Sequence, residues 1–156
     1  MEEFENSLEE ALKHLKIADH LLYITYPLIK EKKILFKVLN EIYLVIYTTI
    51  NSVLQYESFM KRIHIYRDSK TNFETFLRKC AENYDLTGEQ LAAIISVFKL
   101  ADAHKQSPFE FTKKDKLVIM SNSLGIETIT IDKIKNYIII TKDFLTKAKY
   151  RIKNRL

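Results

Sequence analysis

Leu8, Leu12, Leu15, Ala18 and Leu22 recur at spacings of three and four, with Glu9, Lys13, Lys16 and Asp19 between them. That period is the mark of an amphipathic helix. Ser7, followed three positions later by Glu10, has capping-box spacing and predicts the helix start. Pro27 disfavours helical geometry at Tyr26, so the helix is predicted over 7–26, with an end or kink there. A second, stronger pattern covers 33–65. Leu35, Leu39, Ile42, Ile46, Ile50, Val53 and Ile63 are among its apolar positions, and Asn40, Glu41, Thr48, Asn51, Ser52, Gln55 and Lys61 form a narrower polar side. Residues 42–47, "IYLVIY", suit a strand by composition, but the helical spacing on both sides favours one long helix. A helix apolar on most sides must be surrounded, by a bundle or by a second subunit.

Phe73, Phe76, Leu77 and Cys80 predict a shorter helix over 70–83, with Asp68, Ser69 and Thr71 as candidate caps. Thr87 and Gln90 repeat the capping-box spacing ahead of Leu91, Ile94, Ile95, Phe98 and Ala101, a helix over 88–105 that Pro108 stops. The rhythm then changes. Leu117–Met120 is a short apolar run and Ile126–Thr130 is β-branched, with Gly125 between them, which reads as a β-hairpin near 116–130. An isolated hairpin is marginal in water, so it is expected to dock on a helix or pair along another edge. Thr130 caps a last helix over 131–154, whose face carries Ile134, Ile138, Leu145, Ala148 and Ile152 beside a lysine stripe at Lys135, Lys142, Lys149 and Lys153. The expected fold is mainly α: a single helical domain over 1–156, a bundle of about five helices with one β-hairpin.

Composition sharpens this picture. Two glycines and two prolines in 156 residues are too few for the tight turns of an all-β fold or for a Gly-rich phosphate loop. The most apolar stretch, residues 42–54, is too short and too polar for a membrane span, so no membrane partner is expected. The acidic start, "MEEFENSLEE", is not a signal pattern, and the lone Cys80 forms no internal disulfide; a cytoplasmic setting is the expectation.

The net charge of +5 is lopsided. Residues 131–156 hold eight Lys and Arg against two Asp, whereas residues 2–10 hold five Glu. Acids at a helix start and bases at a helix end suit the helix dipole. The same bases also suit phosphate contact, which would be largely independent of base sequence. Lys147, Lys149, Tyr150, Arg151, Lys153 and Arg155 are therefore the candidate RNA- or DNA-binding residues.

Catalytic chemistry leaves no comparable signal. The histidines at 14, 20, 64 and 104 lack the Glu-x-x-His pairing of a bundle metal site, so no metal and no cofactor are expected. Cys80 follows Arg78 and Lys79, which would lower its pKa, but its spacing from Phe73, Phe76 and Leu77 favours a buried small hydrophobe. No catalytic residue is assigned.

"EEALKHLKIADHLL" followed by "LFKVLNEIYLVIYTTINSVLQYE" resembles the first half of the HEPN superfamily of helical domains, over residues 7–65. "SPFEFTKKDKLVIMSN" is similar to helical proteins of archaea, with no mechanism implied. The HEPN resemblance implies a bundle of four to five helices that dimerises, and it sets an RNA-processing enzyme beside the composition-based expectation. Active members carry Arg, then four to six residues, then His. Here Arg62, Arg67 and Arg78 have no His at that distance, and no catalytic residue carries over. The expected function is a non-catalytic binding or scaffolding domain, working as a homodimer or with a protein partner. The alternative is a HEPN-type RNA-processing enzyme or an RNA-binding protein using the basic C-terminal helix.

Overall fold

The structure is a computed structural model that describes residues 2–106, 109–113, 116–120 and 126–154, with side chains described for 2–102 and 129–154. The elements run α1 (Glu3–His20), a π-helical turn (Leu21–Thr25), α2 (Tyr26–Ile29), α3 (Lys33–Phe59), α4 (Ser69–Thr75), a second π turn (Phe76–Cys80), a 3-10 turn (Ala81–Tyr84), α5 (Gly88–Gln106), three strands and α6 (Ile131–Lys153). This is the mainly α bundle that the apolar spacing predicts.

The bundle is organised around α3, which touches α1, α5, α6 and both π turns. Its buried residues include Leu35, Val38, Ile42, Val45, Ile46, Thr49 and Val53, which point to several sides. Among the described residues α3 is the one helix long and apolar enough to cross a membrane by length and composition, and 56% of that window is buried inside the bundle. Ala11 and Ala18, both fully buried, let α1 approach α3 closely. Two buried threonines of this core are satisfied within their own helices, Thr49 donating to the Val45 carbonyl (2.7 Å) and Thr141 to the Tyr137 carbonyl (2.6 Å), whereas buried Ser52 donates across to the Phe4 carbonyl of α1 (2.7 Å).

Three helix ends differ from the pattern-based reading. First, α1 starts at Glu3 rather than Ser7. Glu2 and Glu5 form the capping box, and the Ser7 hydroxyl donates instead to Gln55 Oε1 on α3 (2.9 Å). The earlier start buries Phe4, which packs edge-on against Tyr56 (5.3 Å between centroids). Second, where an end or kink is expected at Pro27, the helix takes a π turn rather than a stop. Proline lacks an N–H and crowds the carbonyl four residues back. The widened π turn just ahead of it relieves both, with the Tyr26 N–H reaching the Leu21 carbonyl, and helix resumes to Ile29. Third, α3 stops at Phe59, not near residue 65. Lys61 takes a left-handed φ of 60°, its N–H bonds to the Ser58 carbonyl (2.9 Å), and the Arg62 N–H bonds to the Glu57 carbonyl (2.9 Å). This is a Schellman motif with lysine where glycine is usual. Ile63 continues the apolar rhythm without continuing the helix.

The hairpin is present and larger than expected. β2 (Lys116–Met120) pairs antiparallel with β3 (Ile126–Thr130), placing Leu117 opposite Ile129. β1 (Phe109–Lys113) pairs antiparallel along the other edge of β2, making a three-stranded sheet in the order β1-β2-β3. The expected turn at Gly125 and the helix stop at Pro108 lie outside the described residues. β3 leads directly into α6, whose start is capped by Thr130 accepting from the Lys133 N–H (3.1 Å). Ile129 is buried, which ties this end of the sheet to the core.

Candidate functional site

The basic end of α6 divides into two flanks and a ridge. On one flank Lys147 and Arg151 are tied to the turns before α5. Lys147 Nζ donates to the Asp85 carbonyl (2.6 Å) and to Gln90 Oε1 (3.2 Å), and it pairs with Asp143 (2.9 Å). Gln90 also bonds Asp143, and Thr87 with Gln90 forms the reciprocal cap expected from their spacing. The Asp143 carboxyl is held below the usual range first by its bond to Lys147 and then by that to Gln90, against the opposing effect of burial. Arg151 Nη1 donates to the Asn83 carbonyl (3.1 Å), and its guanidinium lies 5.0 Å from the Tyr84 ring centre. The ridge carries Tyr150, 72% exposed. The other flank carries Lys149 and Lys153, which face α1. Arg155 lies outside the described residues. The six candidate residues therefore do not form one surface: two are bound into the fold, and Lys149, Tyr150 and Lys153 stay at the edge.

Arg151 leads to a cluster that the pattern of residues does not announce. Glu57, in the last turn of α3, is 3% exposed. Its Oε1 accepts from the Tyr84 hydroxyl (3.0 Å) and from Arg151 Nε (3.2 Å), and its Oε2 accepts from Arg62 Nη1 (2.8 Å). The Schellman motif explains Arg62: the backbone turn that ends α3 brings residue 62 back over residue 57. The same carboxylate shapes its surroundings. Burial, and then Glu57, pushes the Tyr84 phenol well above its ordinary range. Arg62 is raised chiefly by its bond to Glu57. Cys80, buried as its spacing suggests, has its thiol pushed up to about 11, by burial first and Glu57 second, with Arg151 and Lys79 opposing. A thiol held protonated in this way is a packing group, not a nucleophile. Both carboxylate oxygens of Glu57 are occupied, so the cluster pins together α3, the turns after α4, and α6.

Between α1 and α6 lies an open groove of about 480 Å³. Its floor is Leu8, Leu12, Leu15 and Leu145. Glu5 and Glu9 stand on the α1 rim, and Lys142, Lys149 and Lys153 on the α6 rim. Lys142 closes one end by pairing with Asp19 (2.7 Å), its ammonium also 5.9 Å from the Tyr23 ring centre. Toward the other end, Glu9, Lys149 and Lys153 make no ion pair among the described residues. Three of the four lysines of the stripe read from the sequence, Lys142, Lys149 and Lys153, thus form one rim of a groove, with Lys135 lying by the Tyr23 ring instead, and the acidic counterpart comes from the N-terminal glutamates.

His14 is bonded through Nδ1 to Glu41 (2.6 Å), with Glu10 at 3.9 Å from Nε2. Among the described residues no three His, Cys, Asp or Glu side chains gather as a metal ligand set. No family model matches the chain, and none of the curated proteins or solved structures compared with it matches either.

Proposed function

We propose that this chain is a non-catalytic binding or scaffolding domain that works by holding another protein surface, as a homodimer or with a protein partner. The observation that carries this reading is the α1/α6 groove, an apolar floor between oppositely charged rims. Leu8, Leu15 and Leu145 are only 5–9% exposed, so the groove offers a partner its shape and two oppositely charged rims that select orientation, rather than a large leucine surface. The most deeply buried charge among the described residues supports the same reading from the other side, because Glu57 is saturated by Tyr84, Arg62 and Arg151.

The test places a photocrosslinking residue at Thr146, inside the groove, in cells and in purified protein, and incubates the purified protein with mixed RNA. The expected result is a discrete protein adduct from Thr146 and intact RNA. RNA cleavage without added metal that survives repurification overturns the reading in favour of the RNA-processing alternative; so does the absence of any protein adduct.

RNA binding without cleavage is the second reading, favoured by exposed Tyr150 beside Lys149 and Lys153. A base stacked on Tyr150 with phosphates on the two lysines fits single-stranded RNA. Binding should weaken steeply with salt and vanish when Lys149 and Lys153 become Gln and Tyr150 becomes Ala.

A further inference from the structure

We infer that the groove between α1 and α6 is covered by a second copy of this chain, in a dimer whose two-fold axis runs along the groove. The inference rests on the protein-binding reading and deepens it, naming the partner and the symmetry.

The helices are antiparallel: Asp19, near the end of α1, meets Lys142, while Glu5 and Glu9, near its start, share the groove with Lys149 and Lys153. At that end one wall is acidic and the other basic, at the same height along the groove. A two-fold interface sets a patch against itself. An axis running across the groove would lay acid on acid and base on base. An axis running along it carries each wall to the opposite side without changing its height. Glu5 and Glu9 of each copy then face Lys149 and Lys153 of the other. Opposed charges favour the second arrangement and disfavour the first.

The outward ridge of α6 supports the same cover. Ile139 (61% exposed) and Tyr150 (72% exposed) are large side chains left in water. With 3.6 residues per turn, positions 139, 146, 150 and 153 fall within a narrow arc beside the groove. In the proposed dimer this ridge lies over α1 of the partner, which withdraws both side chains from water. α1 has 18 residues. At 1.5 Å per residue and about 10 Å of width per helix, the two helices offer a footprint of roughly 500 Å². That is below the roughly 800 Å² per partner of a standard stable complex, which places the dimer in the micromolar, reversible class.

The experiment measures molar mass by light scattering from about 1 to 100 µM, the range suited to a weak dimer. It compares the native chain, an acidic-rim variant (Glu5→Gln with Glu9→Lys), a basic-rim variant (Lys149→Glu with Lys153→Glu), their equimolar mixture, and a chain carrying all four changes. Gln at 5 keeps the capping box. The native chain is expected to dimerise, and each rim variant to raise the dissociation constant by about tenfold or more, because each change counts twice in a two-fold interface. The mixture is expected to form a heterodimer and the fourfold variant to regain self-association; either recovery also proves that the variants fold. A native dimer indifferent to both rim variants overturns the inference and leaves the protein-binding reading standing with another surface. A native monomer at every concentration overturns the second copy as occupant, and a Thr146 adduct to a different protein then keeps the broader reading.

Discussion

Replacing Glu57 with Gln removes one buried charge and almost no volume, which isolates the electrostatic part of the pin. Tyr84 is 1% exposed, so its hydroxyl has no water to turn to. Its bond changes from a charged acceptor to a neutral one, a loss of about 1 kcal/mol. Arg62 and Arg151 are 45% and 33% exposed, so their pairs with Glu57 are discounted for solvent screening to about 0.5–1 kcal/mol each. The amide must also point its NH₂ toward one of these two cationic donors, where the carboxylate had presented an acceptor. Arg151 keeps the Asn83 carbonyl and the Tyr84 ring, which limits the damage on that side. The expected cost is about 2–3 kcal/mol, and for a chain of this length a fall in Tm of roughly 5–10 °C. Urea unfolding at neutral pH, followed by the helical signal, measures it. Glu10→Gln is the control: this carboxylate is 64% exposed and 3.9 Å from His14, and its loss should stay within about 0.5 kcal/mol. Tyr84→Phe completes a double-mutant cycle with Glu57→Gln, for which the expected coupling is about 1 kcal/mol. A cost below about 1 kcal/mol for Glu57→Gln, or strict additivity with Tyr84→Phe, would refute the assignment of Glu57 as the charge that locks these elements together.

Cys80 provides a prediction in pH. Its folded-state thiol titrates at about 11 against an ordinary 9.0, so the native state holds this proton longer than the unfolded chain does. Its contribution to stability is therefore complete below about pH 9 and is lost as pH rises toward 11; Cys80→Ala should flatten that limb of the stability curve, and thiol reagents at neutral pH should label the native chain only at its rate of opening. The two flanks of α6 give another. Lys147→Gln, which breaks contacts to Asp85, Gln90 and Asp143, should cost about 1 kcal/mol in urea unfolding, whereas Lys149→Gln should change stability by less than about 0.5 kcal/mol. Equal costs for the two would mean that Lys147 is as unconstrained as its neighbour.

The helices were legible because burial repeats along one chain segment, and that repetition survives in the sequence. Leu8, Leu12 and Leu15 or Ile134, Ile138 and Leu145 need no knowledge of what they touch. The helix ends were less legible, because among the described residues the left-handed positions fall to Lys30, Lys61 and Asp85 rather than to glycine. Glycine marks such a position for a reader; lysine does not, since the same residue at a helix end is also a dipole partner or a solvated charge. That ambiguity hid the site as well. Once Lys61 is read as helix, Arg62 points away from the core and Glu57 becomes one more polar residue at a helix end. With Lys61 in its left-handed position, Arg62 folds back onto Glu57, and Arg151, ninety-four positions later, closes the pin. The basic run at 147–153 was visible as charge, but its division was not. Lys147 and Arg151 turn inward because the Asn83 and Asp85 carbonyls, together with Gln90 and Asp143 for Lys147 and Glu57 for Arg151, receive them there. Lys149 and Lys153, two positions along from each, meet α1 instead and stay unpaired among the described residues. A charge count treats these four bases alike, whereas the bundle makes two of them structural and leaves the other two facing the groove. A search for what this protein binds should therefore start from the α1/α6 groove and its two rims, because a patch drawn around the whole C-terminal helix would mix groove-facing charges with charges that hold the fold.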